Sequence, residues 1–448
     1  MRRYVSLHTT LYSDKDRLFN GIWLHWQVLT PAERVVCWGI ILIPLWWFIG
    51  WTLIPMFWVV SIALYELYFY KKIRLSRPTL EVISVITFAF YRAWTYVYNS
   101  PVIAPRELLN PFLAWGCCGL LLWYVQSHSI RIRLQTVAWA FSSIICLMIV
   151  WWLFFHFVLS EPFLIPPRNL FAMLTDKGVY DPNELSSVSN YLVPYYLTHK
   201  FAGLVRYTFF FPHPTVSSFA IGFAGLIVLD IKQRWWTLPI FSVCAFLILI
   251  CQTRNAWLAL LIVLFVRSLI KISKTRGIAF ILALFALTSF TTLSLPSVTD
   301  FITDTYSNTI EATSNFRKDS TASRNLIYQR TWEKFVEEPL LGHGINGSPV
   351  EPIYKFTRIG TESFILGTLL YKSGLIGTLF FMTFFISFAA HLYQTQEGRP
   401  LCCFLILLYL SLASLVTEFQ TPEIFIVLLC AMLWNERKQG MGQTTKYA

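Results

Sequence analysis

"QTVAWAFSSIICLMIVWWLFFHFVL", residues 135–159, contains no Asp, Glu, Lys or Arg. A helix rises about 1.5 Å per residue, so roughly 20 apolar residues cover a hydrocarbon core about 30 Å thick. This stretch therefore reads as a membrane-spanning helix. Similar apolar runs, about 17 to 25 residues long as a span requires, recur through most of the chain. Of its 448 residues 56% are hydrophobic, 17% aromatic and only 13% charged, and the mean hydropathy is +0.55. Ordinary soluble domains are far less apolar. Barrel strands alternate polar and apolar residues in segments of about ten, so a membrane β-barrel is excluded.

Twelve spans are expected, near residues 35–50, 52–70, 79–98, 111–127, 135–159, 214–230, 236–252, 255–270, 277–295, 361–390, 400–417 and 421–435. With a cytoplasmic N-terminus, the even-numbered connections fall at "KKIRLSR" (71–77), "HSIRIRL" (128–134), "DIKQRW" (230–235), "KISKTR" (271–276) and "QEGR" (396–399). The C-terminal tail carries "NERK" and lies on the same side. These short loops are basic, as the positive-inside rule requires. The fold class that follows is an all-α integral membrane protein, a single polytopic domain over 1–448 with both termini cytoplasmic. Its two large outer-face segments are 160–213 and 296–360, the second preceding helix ten.

The formal charge of +12 has its explanation in this orientation rule, and no nucleic-acid partner is expected. The nine cysteines lie mostly inside apolar runs without metal-ligand spacing and read as small buried hydrophobes. The first thirty or so residues lack an apolar core with a small-residue cleavage site, so no removable signal peptide is expected.

Within the second outer segment, "TASRNLIYQRTWEKFVEEPLLGHG" (321–344) reads as an amphipathic helix over about 322–337. Tyr328, Trp332, Phe335 and Val336 share one side, while Arg330 and Lys334 lie elsewhere. Thr321 or Ser323 is the expected cap, and Pro339, Gly342 and Gly344 end the helix. Such a helix rests on the outer membrane surface or packs as a connector on the bundle.

Arginine at the edge of a span snorkels, pairs or binds an anion. Arg254 in "ICQTRNAWLALL", Arg206 before "YTFFFPHPTVSSF" with its His213, and Arg324 all fall on the outer side. Guanidinium is well matched to phosphate oxygens, and a lipid pyrophosphate is the natural candidate anion. Glu362 enters helix ten in "RIGTESFILGTLLYKSGLIG" (358–377). It is either a partner of a nearby arginine or a general base, with His343 a second possible base. The sequence has no Walker-type loop, HExxH, GxSxG or aspartate cluster, so catalysis without a metal or cofactor is expected, on a donor with an activated leaving group.

Four pieces in order resemble the O-antigen ligase and polymerase superfamily of bacterial envelope glycan enzymes. They are "VRYTFFFPHPTVSSFAIGFAGLIVL", "CQTRNAWLALLIVLF", "SRNLIYQRTWEKFVEEPLLGHGI" and "SFILGTLLYKSGLIG", spanning roughly residues 200–380. The resemblance implies an all-helical glycosyltransferase of the bacterial cytoplasmic (inner) membrane, with its active site facing the periplasm. It implies transfer of a glycan from a polyprenyl pyrophosphate to a glycolipid or glycan acceptor. Carried over by position, Arg254 and Arg324 hold the pyrophosphate, with Arg206 an addition; His213, Arg330 and His343 are further expected substrate contacts. Ligases of the family usually carry a histidine just before the "SFIL" stretch. Here Thr361 and Glu362 stand in its place, and Glu362 becomes the expected base. A polymerase using lipid-linked repeats shares the same motifs, and a twelve-helix transporter is the alternative of another class.

Overall fold

The computed structural model describes residues 18–20, 23–158, 166–174, 191–201, 204–231, 234–276, 318–350, 358–419 and 421–435. Every expected span except 277–295, which lies outside the described residues, coincides with observed helix. The helices, in chain order, are α1 (Pro31–Ile41), α2 (Ile43–Ile49), α3 (Ile54–Tyr70), α4 (Leu80–Asn99), α5 (Pro105–Pro111), α6 (Cys117–Ser127), α7 (Leu134–Phe157) and the short α8 (Leu170–Leu174). There follow α9 (Pro214–Leu229), α10 (Arg234–Ile250), α11 (Arg254–Arg276), α12 (Lys318–Glu337), α13 (Lys372–Gln394), α14 (Cys402–Ser414) and α15 (Thr421–Met432). Among the described residues, five helical stretches are long and apolar enough to cross a hydrocarbon core: Trp51–Tyr70, Glu107–Ser127, Leu134–Phe157, Arg254–Ile272 and Phe364–Gln394. The pair α1 and α2, bent by 62°, adds a sixth if taken as one span.

Several expected spans are broken rather than straight. Pro44 lies in the first turn of α2, where its missing N–H is harmless but its ring blocks continuation of α1. A π-helical turn, Phe112–Gly116, joins α5 to α6, and another, Phe364–Tyr371, leads into α13. The segment 160–213 carries a β-hairpin, Tyr195–Phe201 paired antiparallel with Leu204–Tyr207, which the all-helical reading did not contain.

α9 is the centre of the bundle: it is apolar all round and buried from Pro214 to Val228, with α7, α10, α14 and α15 around it. Gly222 lets it approach α14, since a Cβ there would meet the Tyr409 hydroxyl at 2.2 Å. The outward faces are apolar too. Leu64, Phe90, Leu261 and Leu379 are all exposed, on four different helices. Apolar surface of this extent, repeated round the bundle, is what a lipid-facing wall requires. Seven of the nine cysteines are buried thiols; Cys117 is half-buried and Cys146 exposed on α7.

The basic connections meet one another. Ser76 N donates to Ser127 Oγ at 3.0 Å, Ile132–Arg133 pairs in parallel with Leu433–Trp434, and Asn435 N donates to Gly398 O at 2.8 Å. Asp230 links the rest, accepting from Cys402 N at 2.5 Å and pairing with Arg267. The loops that the charge rule puts on one side thus form one end of the bundle.

At another seam, the segment Pro339–Gly344 is tied to the start of α13. Leu375 N donates to Pro339 O at 2.8 Å and Ile376 N to Leu340 O at 3.2 Å, while His343 N and Gly344 N donate to Tyr371 O and Lys372 O at 2.9 and 3.0 Å. Gly374, at φ 62, interrupts the helix there and frees these groups. A Cβ on Gly374 would lie 2.3 Å from Leu340 O. Gly374→Ala therefore meets both a left-handed backbone and a clash with main chain. It is expected to destabilise the protein by about 2 kcal/mol or more, read as a lowered unfolding midpoint of the purified protein in detergent.

Candidate functional site

The first two motifs are joined by hydrogen bonds from side chains to backbone carbonyls. Arg206, on the second strand of the hairpin, is buried and its Nε donates to Cys251 O at 3.0 Å. Thr253 Oγ1 donates to Pro214 O at 3.3 Å. The turn Cys251–Thr253 is sharp, with Gln252 at φ 52, and α11 begins on Arg254 itself. His213 caps α9, its Nδ1 accepting from Thr215 N at 3.2 Å.

The third motif forms α12, which extends N-terminal to the expected 322–337. The expected cap positions 321 and 323 therefore fall inside the helix and not at its start. Ile327, Thr331 and Phe335 form the buried stripe, whereas Trp332 and Val336 are exposed. The expected apolar side is thus divided. Its Ile327 edge packs on Val350, Ile359 and Tyr371, and Trp332 and Val336 face away with Leu340. The physical reason is a buried polar contact: Thr331 Oγ1 accepts from Gly360 N at 3.0 Å, which fixes the rotation of the helix.

That rotation brings Arg324 to the fourth motif. Arg324 Nη2 and Glu362 Oε2 form an ion pair at 3.1 Å, with the side chains 33% and 25% exposed. The Tyr328 hydroxyl donates to Glu362 O at 3.4 Å. Burial pushes that hydroxyl up in pKa, opposed by the Arg324 charge and aided by Glu362, so it remains a donor. The charge of Arg324 also reaches Arg254. Two guanidinium groups from separate parts of the chain thus share a region in which Glu362 supplies a counter-charge to one of them.

Glu362 holds its place at a cost. It sits at φ 70, a left-handed conformation that disfavours a side-chain-bearing residue by about 1–2 kcal/mol. Gly360 at φ 82 precedes it, and Ser363 then caps the π-helical turn, accepting from Leu366 N at 3.2 Å. Strained backbone of this kind concentrates at functional sites.

Two sequence candidates stand apart. Arg330 pairs with Glu333 at 3.0 Å on the exposed side of α12. His343 packs at a tilt against Tyr371 and its Nε2 contacts Lys334 O at 2.8 Å. Lys334 lies ten residues along α12 from Arg324, about 15 Å at the helical rise. The structure does not bring either to the Arg324–Glu362 pair. Sequence reasoning missed the supporting residues Tyr328 and Thr331; the signal available was their spacing of four and seven from Arg324. Among the described residues no group of three or more His, Cys, Asp or Glu side chains is placed to hold a metal ion.

Residues 239–382 match the family model described as O-antigen ligase. Over that segment the chain resembles the O-antigen ligase and polymerase superfamily. The match takes in Arg254, Arg324, Arg330, His343 and Glu362, while Arg206 and His213 precede it. Comparison with curated proteins and with solved structures found no match.

An anion that binds here competes with Glu362 for Arg324. Glu362→Gln removes the competing charge without shortening the side chain, so inorganic pyrophosphate is expected to bind the purified variant several-fold more tightly. Isothermal titration reads this directly; unchanged affinity means that Arg324 does not meet the anion.

Proposed function

We propose that this protein is a membrane glycosyltransferase of the O-antigen ligase type, moving a glycan from a polyprenyl-pyrophosphate carrier to a glycolipid or glycan acceptor. The reaction takes place on the outer face of the bacterial inner membrane. The observation that carries this reading is the Arg324–Glu362 ion pair, with Arg254 within reach of the Arg324 charge, inside the segment that matches the O-antigen ligase family. A polymerase that adds a lipid-linked repeat to another shares this chemistry and is the second reading.

The donor's pyrophosphate is bound by Arg254 and Arg324, whose guanidinium groups suit its oxygens. Arg324 exchanges its contact with Glu362 for one with the anion, which releases the carboxylate. The acceptor hydroxyl oxygen then attacks the anomeric carbon and gives its proton to Glu362. The bond from that carbon to the pyrophosphate oxygen breaks, and the polyprenyl pyrophosphate leaves with the electron pair. Charge developing on the leaving group is met by the two arginines, a form of stabilisation that is large in transfer reactions. A single displacement of this kind inverts the anomeric centre and requires no metal.

The orientation belongs to the same proposal. Grouping of the basic connections at one end supports a cytoplasmic location for them, with α12 on the opposite side. Trp332, Val336 and Leu340 are then placed to enter the lipid interface. A cysteine at Glu333 should react with a membrane-impermeant maleimide in intact cells, above the background of native thiols, whereas one at Lys72 should not; the reverse pattern inverts the topology.

Arg254→Ala and Arg324→Ala are each expected to insert normally and to lose about 100-fold or more in transfer rate. The measurement is the profile of lipid-linked and surface glycans in a deletion strain complemented with each variant. Long chains stranded on the carrier indicate ligase, and single repeats stranded there indicate polymerase. Wild-type profiles from both variants refute the arginine mechanism.

A further inference from the structure

A cavity of about 320 Å³ has in its wall Phe364, two residues along the chain from Glu362, and Pro212, next to His213. Its volume is at the lower end of the roughly 300–1,000 Å³ that hold small ligands.

The backbone around this cavity is irregular on three sides. Gly50, at φ 103, ends the bent α1–α2 pair. Trp115 belongs to the π-helical turn Phe112–Gly116, and Phe364 and Thr368 to the second one. Non-helical backbone at membrane depth is tolerated where it is buried in protein or lines a polar cavity, and π-helical turns occur frequently at functional sites. Three breaks in separate spans facing one space are difficult to ascribe to helix packing alone.

The wall is charged as well. Lys372 Nζ pairs with Glu418 Oε1 at 2.7 Å, and Thr368 Oγ1 donates to the same carboxylate at 3.5 Å. Arg92 comes from α4, and its Nη1 is buried with no hydrogen-bond partner among the described residues. The acids whose charges reach Arg92 are Glu418, already engaged by Lys372, and the exposed Glu107. Two cations and one acid leave the wall one positive charge in excess, with an N–H on Arg92 unused. A buried guanidinium donor without an acceptor is costly, and an anionic ligand supplies the acceptor.

The remaining walls say what carries that anion. Trp51, Trp115, Phe364 and Phe419 supply aromatic surface, with Phe364 and Phe419 stacked at 4.6 Å between ring centroids. Asn110, Thr52 and Thr421 supply amide and hydroxyl groups. Aromatic faces with a few polar groups fit a sugar ring, which has an apolar C–H face and a rim of hydroxyls.

We infer that this cavity is a subsite for an acidic sugar residue, with the sugar's carboxylate on Arg92 and its ring against Trp115 and Phe419. The inference rests on the glycan-transfer reading and deepens it: the glycan handled by this protein carries a uronic-acid-type unit close to the transferred bond.

The test is saturation-transfer NMR on the full-length protein in lipid nanodiscs, with glucuronate, glucose and glycerol phosphate as probes at millimolar concentration. Glucuronate is expected to bind and glucose not to. Arg92→Gln should weaken glucuronate by about tenfold, and Arg92→Lys should restore part of the loss. Arg324→Ala should leave glucuronate binding unchanged while losing pyrophosphate. Equal binding of glucose and glucuronate by the wild-type protein overturns the inference, and that comparison does not depend on a variant folding. Preference for glycerol phosphate overturns it too, in favour of a lipid headgroup. Loss of pyrophosphate binding in Arg324→Ala together with unchanged glucuronate binding in Arg92→Gln refutes the subsite and leaves the transferase reading standing.

Discussion

The seam between Pro339–Gly344 and the start of α13 is the constraint on which the site depends. A helix that begins inside a protein has N–H groups with no partner in the previous turn, and they must be satisfied. Here the carbonyls of Pro339 and Leu340 accept from Leu375 and Ile376, and the carbonyls of Tyr371 and Lys372 are in turn taken by His343 and Gly344. Tyr91 and Asn99 of α4 add side-chain donors to Leu341 O and Gly342 O. The end of α12 is thereby fixed to the bundle by main-chain bonds, and Thr331 sets its rotation. Arg324 meets Glu362 because the helix has no other way to lie.

Glycine is needed at this seam for a specific reason. The two chains approach so closely that a Cβ on Gly342 would lie 2.4 Å from Gly374 N, and both residues have positive φ. Gly342 in "PLLGHG" and Gly374 in "GLIG" are therefore a requirement of backbone approach. It also explains how motifs separated in sequence act as one unit: each glycine vacates the space the other segment occupies.

Glu362 shows how the site trades stability for position. Its left-handed backbone and its ion pair hold a carboxylate beside Arg324, between a glycine turn and the capped start of a span. Histidine is usual just before the corresponding stretch in resembling ligases. In the mechanism proposed above, an anion that takes Arg324 would release the Glu362 carboxylate, and binding would then be linked to proton acceptance.

The sequence alone determined the helical membrane character, where the described helices fall and which basic loops group together, because lipid solvation acts on local composition and on short charged connections. It also marked Arg254, Arg324 and Glu362, since charge at the edge of an apolar run has few uses. It did not determine which of them meet. Arg330 and His343 carry the same local signal as Arg324; the rotation of α12 separates Arg330 from the pair, and the seam that follows the helix places His343 against Tyr371. Nor did it reveal that Trp332 and Val336 face away while Ile327 and Thr331 pack inward, or that Arg92 and Lys372 face one cavity. Those outcomes depend on backbone hydrogen bonds between segments far apart in the chain, which helical periodicity does not encode; the tertiary structure decided them.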